Sequence, residues 1–143
     1  MIFRGIMTAK LEHGFTLLEI MVVIVILGLL ASLTIPSLMS NKNRADQQKV
    51  LSDIAAIENA LDMYKLDNGH YPLEIQGIKA LVSKPTVLPV PRDYPPHGYI
   101  RRLPKDPWGN DYLMVNPGKH SQIDLYSAGP DRTMETADDI GNW

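Results

Sequence analysis

The chain has 143 residues, a net charge of −2 at neutral pH and no cysteine. So small a charge gives no electrostatic footing for nucleic acid. Without cysteine there are no disulfides, no lipidated-cysteine anchor and no thiolate metal site. The length allows one domain plus an anchor.

The first 14 residues carry Arg4 and Lys10 against Glu12. Modest positive charge ahead of an apolar run keeps the N-terminus cytoplasmic and sends the rest across the membrane. From Ile20 to Asn41 no residue is charged. That run is long enough to cross a bilayer as a helix, which takes about 20 residues. A secretory signal has an apolar core of only about 7–15 residues. Here the run continues to Met39 and holds Glu19 at its start, so it reads as an anchor that is retained. A carboxylate within a span costs about 2.5–3.5 kcal/mol, and something must offset it.

Pro36 lacks a backbone donor, so a kink or local unwinding is expected near residues 32–36, with a restart possible at Ser40 or Asn41. Gly28 and Ser32 form a small-xxx-small pair suited to close helix approach in a membrane. Beyond Lys42 the residues turn polar but the period persists: Val50, Ile54, Ile57, Leu61 and Tyr64 form one apolar stripe. Asp46, Lys49, Asp53, Asn59 and Asp62 lie elsewhere around the helix. Asn68-Gly69 supplies a stop. The expected helix runs from Phe15 to Leu66.

Residues 74–83 read as a short second helix, and the five prolines within 85–98 as an ordered loop. Short β-prone pieces follow at Tyr99-Ile100, Tyr112 to Val115 and Ile123 to Tyr126, separated by the turn signals 106–110 and 116–118. Two or three antiparallel strands packed on the helix stripe give an α+β head. The tail gathers Asp131, Glu135, Asp138 and Asp139 against Arg132. On composition alone it is either a solvated loop or a calcium loop, since calcium takes hard oxygen ligands. An exported head this small, with no disulfide, has a use for a structural metal.

The four histidines (His13, His70, His97 and His120) are scattered without metal-ligand spacing, and read as surface or loop residues. Ser127, His120 and Asp124 are of triad types, but no G-x-S-x-G elbow, phosphate loop or dinucleotide fingerprint occurs. No enzymatic activity is expected.

Gly14-Phe15-Thr16-Leu17-Leu18-Glu19 resembles the class III signal of type IV pilins and type II secretion pseudopilins. The runs 64–72, 74–77, 99–109 and 138–143 resemble the major pseudopilins of type II secretion. The cysteine pair usual in type IV pilin heads is missing. The resemblance implies that a prepilin peptidase cuts between Gly14 and Phe15 and N-methylates Phe15. It implies a leader (1–14), an assembly and membrane helix (15–39) and a periplasmic head (40–143). Subunits would polymerise into a periplasmic pseudopilus with minor pseudopilins, an inner-membrane assembly platform and an outer-membrane secretin. Calcium is implied in the last loop, on the side chains of Asp131, Asp138 and Asp139 and carbonyls near Ala128 and Thr133. Glu19 would pair with a Phe15 amine. Glu58 and Asp62, four apart on one helix face, would meet Arg101 or Arg102 of another subunit. The rivals are a type IV pilus subunit and a calcium-dependent periplasmic binding module on a simple anchor.

Overall fold

The computed structural model describes residues 14–143; within its long helix the side chains of residues 34–37 lie outside the described residues, as does almost all of the expected leader. In chain order the elements are helix α1 (Leu17–Asn68), a 3-10 turn (Ile78–Leu81) and strands β1 (Leu113–Val115), β2 (Asp124–Ser127) and β3 (Ile140–Gly141). This is the expected α+β arrangement of one long helix and a small antiparallel sheet.

Thr16 starts α1. Its Oγ1 accepts the N–H of Glu19 at 3.2 Å, so Thr16-Leu17-Leu18-Glu19 forms one half of a capping box. The helix passes without interruption through Pro36 and across Ser40-Asn41, so neither the local unwinding nor the restart occurs. One missing donor leaves the hydrogen bonds on either side to carry the ladder. The stop falls where the sequence places it: Gly69 has φ +79 and donates its N–H to the Lys65 carbonyl at 2.7 Å.

The chain divides into two compact units between Asn41 and Lys42. In the first, the described large apolar side chains between Phe15 and Met39 are 46–80 % exposed. By length and composition this part of α1 can cross a membrane. Ser32 donates its hydroxyl to the Leu29 carbonyl at 2.7 Å, so it is satisfied within its own helix.

In the second unit Val50, Ile54, Ile57, Leu61 and Tyr64 are all buried. They share one core with Ile78, Leu81, Tyr112, Ile123 and Leu125. Each such burial is worth about 1.5–3 kcal/mol. The sheet order is β1-β2-β3, all antiparallel, with Met114 opposite Leu125 and Ser127 opposite Ile140. The central strand β2 is buried along its whole length.

Three expectations need correction. The second helix shrinks to the 3-10 turn, because Gly77 takes φ +59 and breaks the helical path. There Gln76 accepts the Leu73 N–H at 3.0 Å and donates to the Val87 and Pro89 carbonyls, tying the proline loop down. Tyr99-Ile100 is no strand; both N–H groups donate to the Leu81 carbonyl, at 2.7 and 3.1 Å. Strand β3 was not foreseen, for two residues with a glycine carry no alternation to read.

Candidate functional site

Three places hold the residues singled out from sequence. The first is the start of α1. Glu19 sits in the first helical turn, where a carboxylate is stabilised by the helix dipole. Gly14 and Phe15 precede the helix, and Phe15 is 80 % exposed.

The second is the outer face of α1 in the head. Glu58 Oε1 accepts the Asn142 Nδ2–H at 2.7 Å, and Asp62 Oδ1 accepts the Tyr71 hydroxyl at 2.7 Å. That hydrogen bond to Asp62, with burial and the nearby carboxylates, pushes Tyr71 up to about 12. The two acids line a cleft of about 370 Å³ with Asn59, Tyr71, Gln122 and Asn142. Arg101 and Arg102 are exposed, and among the described residues no ion pair within the chain joins them to these acids.

The third is the loop from Ala128 to Asp139. Pairing of Ser127 with Ile140 fixes both of its ends. Arg132 and Glu135 have φ of 61 and 63, left-handed values that cost non-glycine residues energy. Thr133 N–H donates to Asp131 Oδ1 at 2.8 Å, and Glu135 N–H to Asp139 Oδ2 at 2.8 Å. Thr136 Oγ1 lies 2.6 Å from Asp138 Oδ1, 3.3 Å from Asp139 Oδ1 and 3.0 Å from the Thr133 carbonyl. Thr136 first, opposed by desolvation and helped by the Asp131 N–H, holds the Asp138 carboxyl below its usual range. A Cβ on Gly129 would stand 2.5 Å from Asp138 Oδ2, so glycine is required there to let the carboxylate in. Lys119 pairs with Glu135 and draws that acid outward. The loop therefore brings together Thr133, Asp138 and Asp139, with Asp131 beside Asp138; no contact of the Ala128 carbonyl joins it to them. Among the described residues no three carboxylate or imidazole groups form a metal-binding arrangement. The cluster instead mixes carboxylates with neutral oxygens, a donor chemistry that suits calcium.

Two buried carboxylates escaped the sequence reading. Asp106 accepts from Trp108 N, Asn110 N and the Ser127 hydroxyl, at 3.0, 2.7 and 2.7 Å. An aspartate opening the Pro107-Trp108-Gly109-Asn110 turn was the available signal. Asp124 accepts the N–H groups of Lys119, His120 and Ser121, and His120 Nδ1 lies 3.0 Å away. Asp124, His120 and Ser127 thus form no triad: His120 stacks on Trp143, with ring centroids 4.2 Å apart, and Ser127 bonds Asp106 instead.

An apolar N-terminal helix that continues as the spine of a small antiparallel head defines the pilin-like class. Residues 37–143 match the family model for type II secretion system (T2SS) protein G, and residues 9–35 that for the prokaryotic N-terminal methylation motif. The type II secretion system core protein G of Pectobacterium carotovorum is 66 % identical over 132 residues, covering 92 % of this chain and 85 % of its own. That of Pseudomonas aeruginosa is 50 % identical over 140 residues, covering 96 % and 99 %. The crystal structure of the major pseudopilin from the type 2 secretion system of enterohaemorrhagic Escherichia coli superposes with a TM-score of 0.71 at 62 % identity, over 74 % of this chain and 89 % of that one. The chain belongs to the type II secretion system protein G family. The type IV pilus reading is not favoured.

Asp124 yields a measurable consequence. Desolvation pushes its carboxyl up, but the N–H groups of Ser121, Lys119 and His120 outweigh it and bring the group from 3.8 down to about 2. That difference corresponds to about 2 kcal/mol. A depressed carboxylate stabilises the fold above about pH 4, and the contribution is lost as pH falls through about 2. Urea unfolding between pH 5 and 2 should therefore show a steeper acid loss in the wild type than in Asp124→Asn. Parallel curves would exclude this role.

Proposed function

We propose that this chain is the major subunit of a type II secretion pseudopilus, a homopolymer that drives folded proteins out through the outer membrane. The carrying observation is the contrast along α1. Its head portion has its stripe fully covered, whereas the described large apolar side chains between Phe15 and Met39 stay 46–80 % exposed on a segment able to span a membrane. An apolar surface of that kind requires lipid or neighbouring copies of itself. In this reading residues 1–14 are the leader, 15–39 the span and assembly helix, and 40–143 the periplasmic head. The protein crosses the bacterial inner membrane once, N-terminus in the cytoplasm. Its partners are its own copies, minor pseudopilins, the assembly platform, the prepilin peptidase and the secretin, with no nucleic acid.

Cleavage between Gly14 and Phe15 frees an amine, and methylation leaves it cationic. Glu19 lies about one turn away and is available to a Phe15 amine of its own or a neighbouring subunit. The Thr16-x-x-Glu19 spacing offers a competing role for the side chain, helix initiation alone. Glutamine preserves the capping box and removes the charge, so Glu19→Gln separates the two. Both Glu19→Gln and Glu19→Ala should insert, lose residues 1–14 by intact mass, and yet form no filaments by electron microscopy. Normal filaments from Glu19→Gln would leave only the cap.

Register between subunits is assigned to Arg101 or Arg102 against the Glu58–Asp62 face. Their exposure and the lack of an ion partner among the described residues support this. An exposed pair is worth about 0–1 kcal/mol, but a filament repeats it. Asp62→Arg and Arg101→Asp should each weaken assembly, and the double reversal should restore it in a secretion assay. Absence of rescue in every pairing argues against the contact.

The cofactor in this reading is calcium, held by the side chains of Asp131, Asp138 and Asp139 with the carbonyls of Ala128 and Thr133. Bound, it would neutralise the acids and tie the loop to the sheet. Binding to the folded state alone contributes about 2.7 kcal/mol at 100 times the dissociation constant. In a domain of this size that raises Tm by roughly 10 °C. Melting of residues 42–143, the compact second unit, should therefore rise with calcium over chelator, and little with magnesium, which demands a tighter shell. Superimposable melts in all three would reduce the loop to a solvated turn.

A further inference from the structure

We propose that Tyr71 is a positioning residue for contact between subunits, holding Asp62 open to a guanidinium carried by a second copy of this chain. The inference rests on the register reading above, in which Arg101 or Arg102 meets the Glu58–Asp62 face, and adds a residue outside it. Tyr71 acts in two ways. Its hydroxyl donates to Asp62 Oδ1 at 2.7 Å, and its ring lies under Lys65 Nζ, 4.5 Å from the centroid. Lys65 also donates to Gln122 Oε1 at 2.9 Å. Lys65 stands three residues from Asp62 on the same helix, a spacing at which opposite charges pair. Here it is drawn to the ring and to Gln122, and among the described residues no ion pair joins it to Asp62 or Glu58.

The acids are left oriented and uncompensated. Asp62 Oδ2 and Glu58 Oε2 have no hydrogen-bond partner among the described residues, and both side chains border the open cleft of about 370 Å³. A neutral donor such as the Tyr71 hydroxyl orients a carboxylate without cancelling its charge. Asp62 is exposed, so without that bond it would turn through several rotamers, and ordering it on contact would weaken binding. Arg101 and Arg102 are exposed and without an ion partner among the described residues, and neither lines the cleft. The charge that the cleft lacks is therefore carried by the same chain at another place. A contact between two different surfaces of one chain passes from copy to copy, into a ring or a filament. Asn142 holds Glu58 Oε1 in the same manner, but it also serves Leu125 N and Ile123 O, so its replacement would disturb the sheet. Tyr71 is the residue to test.

The test expresses the full-length chain in cells that carry the secretion machinery. Filament yield and exported protein are measured for Tyr71→Phe, Asp62→Asn and the double variant, with the Tm of each chain in detergent micelles. Phenylalanine keeps the ring under Lys65 and removes only the hydroxyl. Each single change should lower filament yield and export about twofold or more, and the double variant should fall no further than Asp62→Asn alone, with Tm unchanged. Losses that multiply in the double variant would mean that Tyr71 acts elsewhere, and wild-type yield in Tyr71→Phe would remove its role; either overturns the assignment. A Tm that drops in Tyr71→Phe alone would make it a brace of the fold, with the same consequence. Export lost while filament yield stays at wild type would give the cleft to another protein and overturn the choice of a second copy. Wild-type behaviour of Asp62→Asn would instead overturn the register reading itself, and this assignment with it.

Discussion

The apolar stripe from Val50 to Tyr64 has to be kept from water, and the head is the cover built over it. Three strands of two to four residues cannot hold one another in isolation. They are stable because Tyr112, Ile123 and Leu125 close on the same core as Ile57 and Leu61. The helix is thus the scaffold of the head as well as its connection to the anchor. Inserting one residue within the stripe would turn its lower part by about 100° and unseat the sheet along with the helix.

Around that core, buried and half-buried polar groups do the stitching that disulfides supply in other small domains. Asp106 joins its own turn to the end of β2 through Ser127, Asp124 gathers the loop between β1 and β2, and Asn142 links Leu125, Ile123 and Glu58. Each is costly to bury and is held by several donors or acceptors at once, so removing one partner leaves the others exposed to the cost. These ties converge on β2, which is why the last loop leaves from a rigid edge. That rigidity lets the loop carry two left-handed non-glycine residues and several like charges.

The two parts of α1 face different solvents, and the sequence marks the change at Lys42. On one side no residue from Ile20 to Asn41 is charged, and the described large apolar side chains stay exposed. On the other, one face is apolar and fully used. A subunit with this division is stable as a head yet incomplete at its anchor, which is the requirement for a polymer stored in a membrane. Glu19 stands at the start of this first part, where its backbone N–H is taken up by the Thr16 hydroxyl.

By itself the sequence determined the long helix, its buried face, its stop at Gly69, the α+β class and the family. Each of these rests on local chemistry repeated over many residues: periodicity, an uncharged run, a glycine in the left-handed region, a processing motif. Strand positions Tyr112–Val115 and Ile123–Tyr126 were legible to within a residue or two for the same reason. Only the tertiary structure decided that Gly77 confines the second helix to the turn that follows it, that Tyr99-Ile100 docks on Leu81 instead of pairing, and that Ile140-Gly141 completes the sheet. Only there do Asp106 and Asp124 become buried ties, and only there does Thr136 meet Thr133, Asp138 and Asp139. Those roles depend on which atoms the fold brings together across a turn or from a distant strand, and a linear pattern carries no record of that until the helix stripe has drawn the head closed.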